Sequence, residues 1–374
     1  MNYVSIEELC EILNGYAFKS DNYVEEGVRI IRIANVQKGY IEDNTPVFCQ
    51  YDNLELEKYM LMENDLLISL TGNVGRVALL TKEFLPAALN QRVACLRLKN
   101  KEVLKKYLFY CLSANGFEEK CIRSAKGVAQ KNMSTEWLKK YKIPLYSSNE
   151  QIQIVRSLDF ISRTINNRKK QLQKLDELIQ ARFVELFGDP TINTKKYPLK
   201  LLPEIAEYWN GLTYKPDDVA DKGTIVLRSS NIQNMTLDFE DIVRVNCKIG
   251  EKKYVHENDI LMCSRNGSAR LVGKVALIKN IEEPMSFGAF MLIIRSAYYP
   301  YLMTYFQMPA FRAQIVTGAT TTINQITGRM LDNVKLPVPD MYVVNQFADF
   351  VNQVNKSKLV IKNLLQIYKH RIQM

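Results

Sequence analysis

The chain has 374 residues, 47% hydrophobic and 24% charged, which supports buried cores, excludes wholesale disorder and, at roughly 150 residues per domain, leaves room for two or three domains. Lys and Arg number 50 against 40 Asp and Glu, and the resulting +10 points to a polyanionic partner. Only two histidines, His256 and His370, and seven cysteines without a Cys-x-x-Cys pair argue against imidazole catalysis and zinc chemistry and for reduced thiols in a cytoplasmic protein.

In chain order, residues 1 to 11 carry acids and no basic run, so no secretory signal is expected. A helical segment is predicted over Ser5–Leu13, closed by Asn14-Gly15, two residue types that tolerate the left-handed conformation. Strands are predicted at Val28–Ile33, where charged and apolar residues alternate, and at Leu66–Leu70, Arg76–Leu80 and Val93–Leu98, with a polar glycine loop at Thr71–Gly75. A helix over Glu102–Cys121 and a further polar loop follow. Then, from Ser147 to Phe187, proline and glycine are absent. Leu158, Ile161, Ile165, Arg168, Leu172, Leu175, Ile179, Arg182 and Leu186 step by threes and fours, a heptad seam that ends at Gly188-Asp189-Pro190.

The same series then recurs. It comprises a helical segment at Pro203–Tyr208 closed by Asn210-Gly211, and strands at Thr224–Leu227, Ile260–Cys263, Lys274–Ile278 and Phe290–Ile294. A polar loop at Arg265–Arg270 and a helix over Tyr301–Ile315 complete it. Ser296–Phe311 is uncharged, but Pro300 and Pro309 break it, so no membrane span and no membrane partner are expected. A second seam, Phe347, Val351, Val354, Lys358, Ile361, Leu365, Tyr368 and Ile372, closes the chain.

The recurrence is a duplication. Glu11, Asn14, Gly15, Lys19, Asp21, Gly27, Arg32, Asn35 and Gln37 return 196 residues later, and Glu63-Asn64-Asp65-Leu66-Leu67 returns as Glu257-Asn258-Asp259-Ile260-Leu261. Gly75-Arg76-Val77-Ala78-Leu79 matches Gly273-Lys274-Val275-Ala276-Leu277, and Lys142-Ile143-Pro144 matches Lys335-Leu336-Pro337. A period near half the chain is too long for a solenoid. By itself it signifies either an old symmetric core of any function or two modules with related tasks.

The fold class expected is α+β: two similar modules with small, largely antiparallel sheets, separated by a long antiparallel two-helix coiled coil in a pseudo-two-fold repeat. The divisions are 1–146, 147–188, 189–340 and 341–374. A helix of about 38 residues extends roughly 57 Å, too long for one small module, so a dumbbell with a two-helix strut is expected.

Catalytic motifs are wanting. Gly267–Lys274 resembles a phosphate loop only faintly, with Val275 where a hydroxyl would hold magnesium. No Gly-x-Gly-x-x-Gly follows a strand, no Asp/Asn-Pro-Pro-Tyr/Phe run is present, and a Ser-His triad lacks its network. His256 and His370 read as ordinary surface or packing residues. Nucleic-acid binding fares better. Lys120, Arg123, Lys126, Lys131, Lys139, Lys140 and Lys142 crowd one region, and Arg163, Arg168, Lys169, Lys170 and Lys174 precede the first acid of that stretch of the long helix, Asp176. Such charges give affinity without sequence information, and a solvated helix face would look the same. Sequence reading needs guanidinium and amide groups on loops. One half offers Asn73, Arg76, Asn90, Gln91, Arg92, Lys126, Gln130, Lys131 and Asn132; the other offers Arg265, Asn266, Ser268, Arg270, Lys274, Thr320, Thr321, Thr322 and Asn324. Similar frames with dissimilar loops are what two modules reading different sequences would show. A self-contained DNA-modifying enzyme and a coiled-coil scaffold are the alternatives.

Taken together, the chain resembles the specificity subunits of type I restriction-modification systems. The resemblance covers essentially the whole chain and is carried by the two Asn-Gly openings, the two Glu-Asn-Asp runs, and Gly127-Val128-Ala129-Gln130-Lys131-Asn132-Met133-Ser134 leading to Ile143-Pro144 and Glu150-Gln151-Ile152. The run from Leu178 to Pro190 looks like the family's exit from its central helix. Departures are Gly318–Asn324 in place of Gln-Lys-Asn, Asn345-Gln346-Phe347 in place of Glu-Gln, and no such exit after the last helix. The resemblance implies target recognition modules that read a split site in double-stranded DNA. The helical seams would dock two adenine-N6 methyltransferase subunits, joined by restriction and translocase subunits. This chain would then have no active site and bind no cofactor; S-adenosylmethionine, ATP and magnesium would sit on the partners.

Overall fold

The computed structural model describes residues 2–50, 54–125, 131–315 and 324–373. The chain divides into two compact units, residues 1–168 with 364–374 and residues 169–363.

In the first unit, Cys10–Asn14, Val93–Leu98, Leu66–Ser69 and Val77–Leu79 form an antiparallel sheet in that spatial order. Leu66, Leu67 and Ile68 are all fully buried because their strand lies between two layers. Leu66 and Ile68 pack with Tyr107, Leu108, Leu112, Phe117 and Cys121 from the helices Lys105–Ser113 and Asn115–Ser124. Leu67 turns the other way, as strand alternation requires, onto Ile31, Leu61, Ala87 and Leu89 of a second sheet. Each such side chain contributes about 1.5–3 kcal/mol on burial. The second sheet, ordered Phe48–Cys49, Val28–Ile31, Ala87–Leu89 and Met60–Leu61, contains one parallel pairing, Val28–Ile31 with Ala87–Leu89. A short pair joins Asn2–Ser5 to Lys142–Leu145.

The second unit repeats these layers. Glu207–Asn210, Met291–Arg295, Ile260–Cys263 and Val275–Leu277 form the matching sheet, and Val219–Leu227 lies parallel to Met285–Phe287. Ile260 and Met262 pack toward Tyr301, Leu302 and Phe311; Leu261 and Cys263 pack toward Ile225, Leu227 and Phe287. Even single hydrogen bonds repeat: the Tyr107 hydroxyl donates to the Pro144 carbonyl at 2.7 Å and the Tyr301 hydroxyl to the Pro337 carbonyl at 2.8 Å.

Several predicted elements are corrected. Only Ile6–Leu9 of the first segment is helical; Cys10–Asn14 is a strand, since its backbone completes the ladder with Val93–Leu98. Its counterpart is a short 3-10 turn, Leu202–Glu204, followed by the strand Glu207–Asn210. The Asn-Gly pairs therefore close no helix. Gly15 and Gly211 let two backbones touch: an added Cβ would lie 2.2 Å from the Asn90 carbonyl carbon or the Gly288 carbonyl oxygen. The expected single helices over 102–121 and 301–315 are each two, broken at Ala114, whose ψ of 141° is extended, and ahead of Pro309, which starts Pro309–Gln314.

The long helices span Ser148–Phe187 and Met341–Gln373. Ser147 and Glu150 cap the first, the Ser147 N–H donating to Glu150 Oε2 at 2.9 Å. Gln151, fully buried, ties it down: its Nε2 donates to the Glu102 and Tyr146 carbonyls and its Oε1 accepts from the Leu104 N–H. Gly188, at φ +75°, ends it as expected. Leu158, Ile161, Ile165, Arg168, Leu172, Leu175, Ile179, Arg182 and Leu186 are all buried or half-buried, and so are Phe347, Val351, Val354, Lys358, Ile361, Leu365 and Tyr368. The Ile372 side chain lies outside the described residues.

Within the second unit the two helices run antiparallel. Lys358 pairs with Asp176, Arg182 lies over the Phe350 ring, and Phe183 meets Phe347 edge-on at 5.6 Å. Phe183 also stacks on Tyr301 at 5.2 Å, which anchors the helix end to this unit's core. Among the described residues, no helix is long and apolar enough to cross a membrane.

Candidate nucleic-acid interface

The site begins with the Glu-Asn-Asp runs. Asn64 and Asn258 take left-handed backbone, φ 64° and 70°, and turn the chain into the central strand of each sheet. The next residues, Asp65 and Asp259, are buried. Arg97 reaches Asp65 with Nε at 3.2 Å and Nη2 at 2.7 Å; Arg295 reaches Asp259 at 2.7 and 2.8 Å. These hydrogen bonds hold both guanidinium groups above their usual pKa range. They are structural clamps that fix where the strand begins.

At the other end of that strand, three segments are laced together. In the first unit the Leu70 N–H donates to the Arg92 carbonyl at 3.0 Å, the Met133 N–H to the Leu70 carbonyl at 2.8 Å, and Thr71 bridges Asn132. In the second unit the Ser264 N–H donates to the Phe290 carbonyl at 2.9 Å, the Ile326 N–H to the Ser264 carbonyl at 2.7 Å, and Arg265 bridges Gln325. Each unit thus gathers a glycine loop, a turn and a returning segment at one sheet end. The loop is longer in the second unit, 264–272 against 70–74.

The frame brings most of the expected residues together but gives them unequal roles. Asn73, Gln91, Arg92, Lys131 and Asn132 are exposed. Asn90 is buried, its Oδ1 accepting from the Arg92 N–H at 3.3 Å; it stands where the second unit has Gly288, a turn position. Arg76 is half-buried and donates from Nη1 to Gln37 Oε1 at 2.6 Å. Asn132 Oδ1 accepts from the Thr71 hydroxyl at 2.6 Å. In the second unit Arg265, Ser268 and Arg270 are exposed, and Lys274 is half-buried at the position of Arg76. Asn266 donates to Ser229 Oγ at 3.2 Å and accepts from the Ser268 N–H at 3.0 Å, while Asn324 donates to the Gly267 carbonyl at 3.3 Å. Lys126, Gln130, Thr320, Thr321 and Thr322 lie outside the described residues.

Sequence reasoning missed Gln37, Ser229 and Phe290. Gln37 carried a signal, since Gln233 repeats it and both side-chain amides donate to the carbonyl three residues back. Phe290 carried none: it reads as the first apolar residue of a strand, yet it is 58% exposed at the turn, with the Arg265 guanidinium 5.2 Å from its ring centroid.

Side chains that could do chemistry are elsewhere or muted. All seven cysteines are free thiols. Burial pushes Cys10 and Cys121 up to about 12, with Glu118 adding to the effect at Cys121, which leaves both as protonated packing groups. The His256 backbone N–H donates to Asp259, and its ring is exposed; the His370 side chain lies outside the described residues. No cluster of three metal-ligating side chains occurs among the described residues. What the arrangement can do is present guanidinium, amide and hydroxyl groups from rigid loops.

Residues 1–177 match the family model described as the type I restriction modification DNA specificity domain. The chain is 23% identical to the specificity subunit of the type I restriction enzyme EcoBI from Escherichia coli, over 97% of this chain and 83% of that protein. It is 22% identical to the EcoKI specificity subunit of Escherichia coli K12, over 94% and 80%. A 31% identity to the Escherichia coli EcoAI specificity subunit covers 48% of this chain and 31% of that one. Among solved structures, the S subunit of a type I restriction-modification system from M. genitalium superposes with a TM-score of 0.56 at 15% identity, covering 100% of this chain and 95% of the other. A chain from a study of complex assembly and conformational transition in the type I R-M system superposes at 0.59, with the same identity and coverage.

Proposed function

The chain belongs to the family of type I restriction-modification specificity subunits, and on that premise we propose that it is the non-catalytic subunit that reads a bipartite site in double-stranded DNA. The observation that carries this reading is the frame built twice with different chemistry. The same backbone hydrogen bonds join Leu70 to Arg92 and Ser264 to Phe290, but the side chains they present differ. A sheet end laced by these backbone hydrogen bonds holds the loop backbones in place and lowers the entropic loss on binding, and unlike donors select unlike base edges. The net charge of +10 supplies the sequence-independent attraction to phosphates.

The finer reading concerns partners. Two adenine-N6 methyltransferase subunits dock on the long helices, whose Phe160, Leu359 and Val360 stay 65%, 59% and 60% exposed off the seam; apolar side chains in that setting suit a permanent interface. The partners hold S-adenosylmethionine and extrude the target adenine, and restriction subunits bring ATP and magnesium. The seam length sets the number of unread base pairs between half-sites. Residues 1–146 and 189–340 serve as the two target recognition domains, with 147–188 and 341–374 as the helical parts.

The test is a methylome of cells with and without this chain. Loss of N6-methyladenine at one split motif is the expected result, while the purified chain alone transfers no methyl group from labelled S-adenosylmethionine. A methylome unchanged by its removal would contradict the proposal.

A further inference from the structure

The two frames differ most sharply at one paired position. In the first unit, Thr71 is buried and its hydroxyl is spent on Asn132, while Arg92 across the backbone hydrogen bond is exposed. In the second unit the types are exchanged: the position of Thr71 holds exposed Arg265, and the position of Arg92 holds Phe290. Each frame therefore puts one arginine at the same sheet end, from opposite sides. Neither Arg92 nor Arg265 enters an ion pair among the described residues.

Arg265 is not merely loose on the surface. Its own N–H and that of Ser264 both donate to the Phe290 carbonyl, at 3.1 and 2.9 Å, so the backbones under the two side chains are locked together. The guanidinium lies over the Phe290 ring at 5.2 Å, and the ring is 58% exposed with nothing to gain from water. A ring under a guanidinium removes one face from solvent and restricts the rotamers, leaving the planar N–H fork presented outward. The partner geometry that suits such a fork on duplex DNA is the N7 and O6 pair of guanine in the major groove.

Resting on the DNA-reading function above, we infer that Arg265 reads a guanine in the half-site of the second module and that Phe290 is the residue that positions it. Phe290 touches the arginine and not the base. Arg92, the counterpart in the other frame, serves the other half-site.

The test uses the full chain assembled with its methyltransferase subunits and selects bound duplexes from a randomised library. The wild type selects a guanine that Arg265→Lys and Arg265→Ala both cease to require, with every other position unchanged. Phe290→Ala weakens selection at that same base pair, and Phe290→Tyr, which keeps the ring, restores it. With 7-deazaguanine at that position the wild type binds on the order of tenfold or more weaker, inosine is tolerated, and Arg265→Ala distinguishes none of the three. An equal loss of affinity for all sequences in Arg265→Ala would make the contact a phosphate contact and overturn the inference. So would relaxation at a different base pair in Phe290→Ala, or indifference of the wild type to 7-deazaguanine. A wild-type complex that selects no sequence defeats the DNA-reading function itself, which is a separate result.

Discussion

Arg295 grips Asp259 with two hydrogen bonds of 2.7 and 2.8 Å, its guanidinium lying 5.0 Å from the centre of the Trp209 ring, and the carboxylate is 1% exposed while the arginine is partly solvated. The pair fixes the turn from which the strand Ile260–Cys263 runs to the candidate DNA-reading loop.

Replacing Arg295 by Met leaves that carboxylate buried with only backbone support from the His256 N–H. The expected cost is about 3 kcal/mol, the lower end for breaking a buried pair because Arg295 keeps some water. Trp209 and Trp137 are the two tryptophans of the chain. In a Trp137→Phe background, urea titration followed by Trp209 fluorescence reads the second unit, and a midpoint unchanged by Arg295→Met would contradict the clamp.

Gly211→Ala is expected to destabilise the second unit by about 3 kcal/mol, at the upper end for overpacking, because the new methyl meets backbone that has nowhere to go. Gly267→Ala, with nothing within 4 Å of the added carbon, is the control and is expected to leave the same titration unmoved.

Much of this was legible in the sequence, for physical reasons that differ by element. The seams were readable because a heptad is a local pattern, and every one of Leu158 through Leu186 is sheltered as its spacing requires. Cys10–Asn14 was not, since its strand state depends on a partner 80 or more residues away, Val93–Leu98. Asn14-Gly15 was readable as special but not why: the same two residue types serve a left-handed cap and a close backbone approach. The candidate interface was legible as a pair of polar loops with unlike chemistry. Asn90 looked like a reader by residue type, whereas its alignment with Gly288 shows a turn position. Phe290 went unseen because an apolar residue at a strand's edge carries no sign of exposure.

The thiols offer a third check. With pKa values pushed up to about 12 by burial, Cys10 and Cys121 keep their protons until the pH approaches that value, so at pH 8 about one in 10,000 is thiolate. Iodoacetamide at pH 8 is expected to modify the half-exposed Cys247 of the folded chain and to spare Cys10 and Cys121 until urea is added. Early labelling of Cys10 or Cys121, seen by peptide mass spectrometry, would place those side chains in looser surroundings.

The measurement that bears most directly on the proposed function is the recognition motif of a chain from which 169–175 and 355–361 have been deleted, one heptad from each helix. Removing seven residues of helix shortens it by roughly 10 Å, the rise of about three base pairs. Methylome sequencing is expected to show both half-sites intact and the unread gap between them shorter by about that number. An unchanged gap, or an altered half-site, would contradict the assignment of spacing to the helices and of sequence to the two sheet ends.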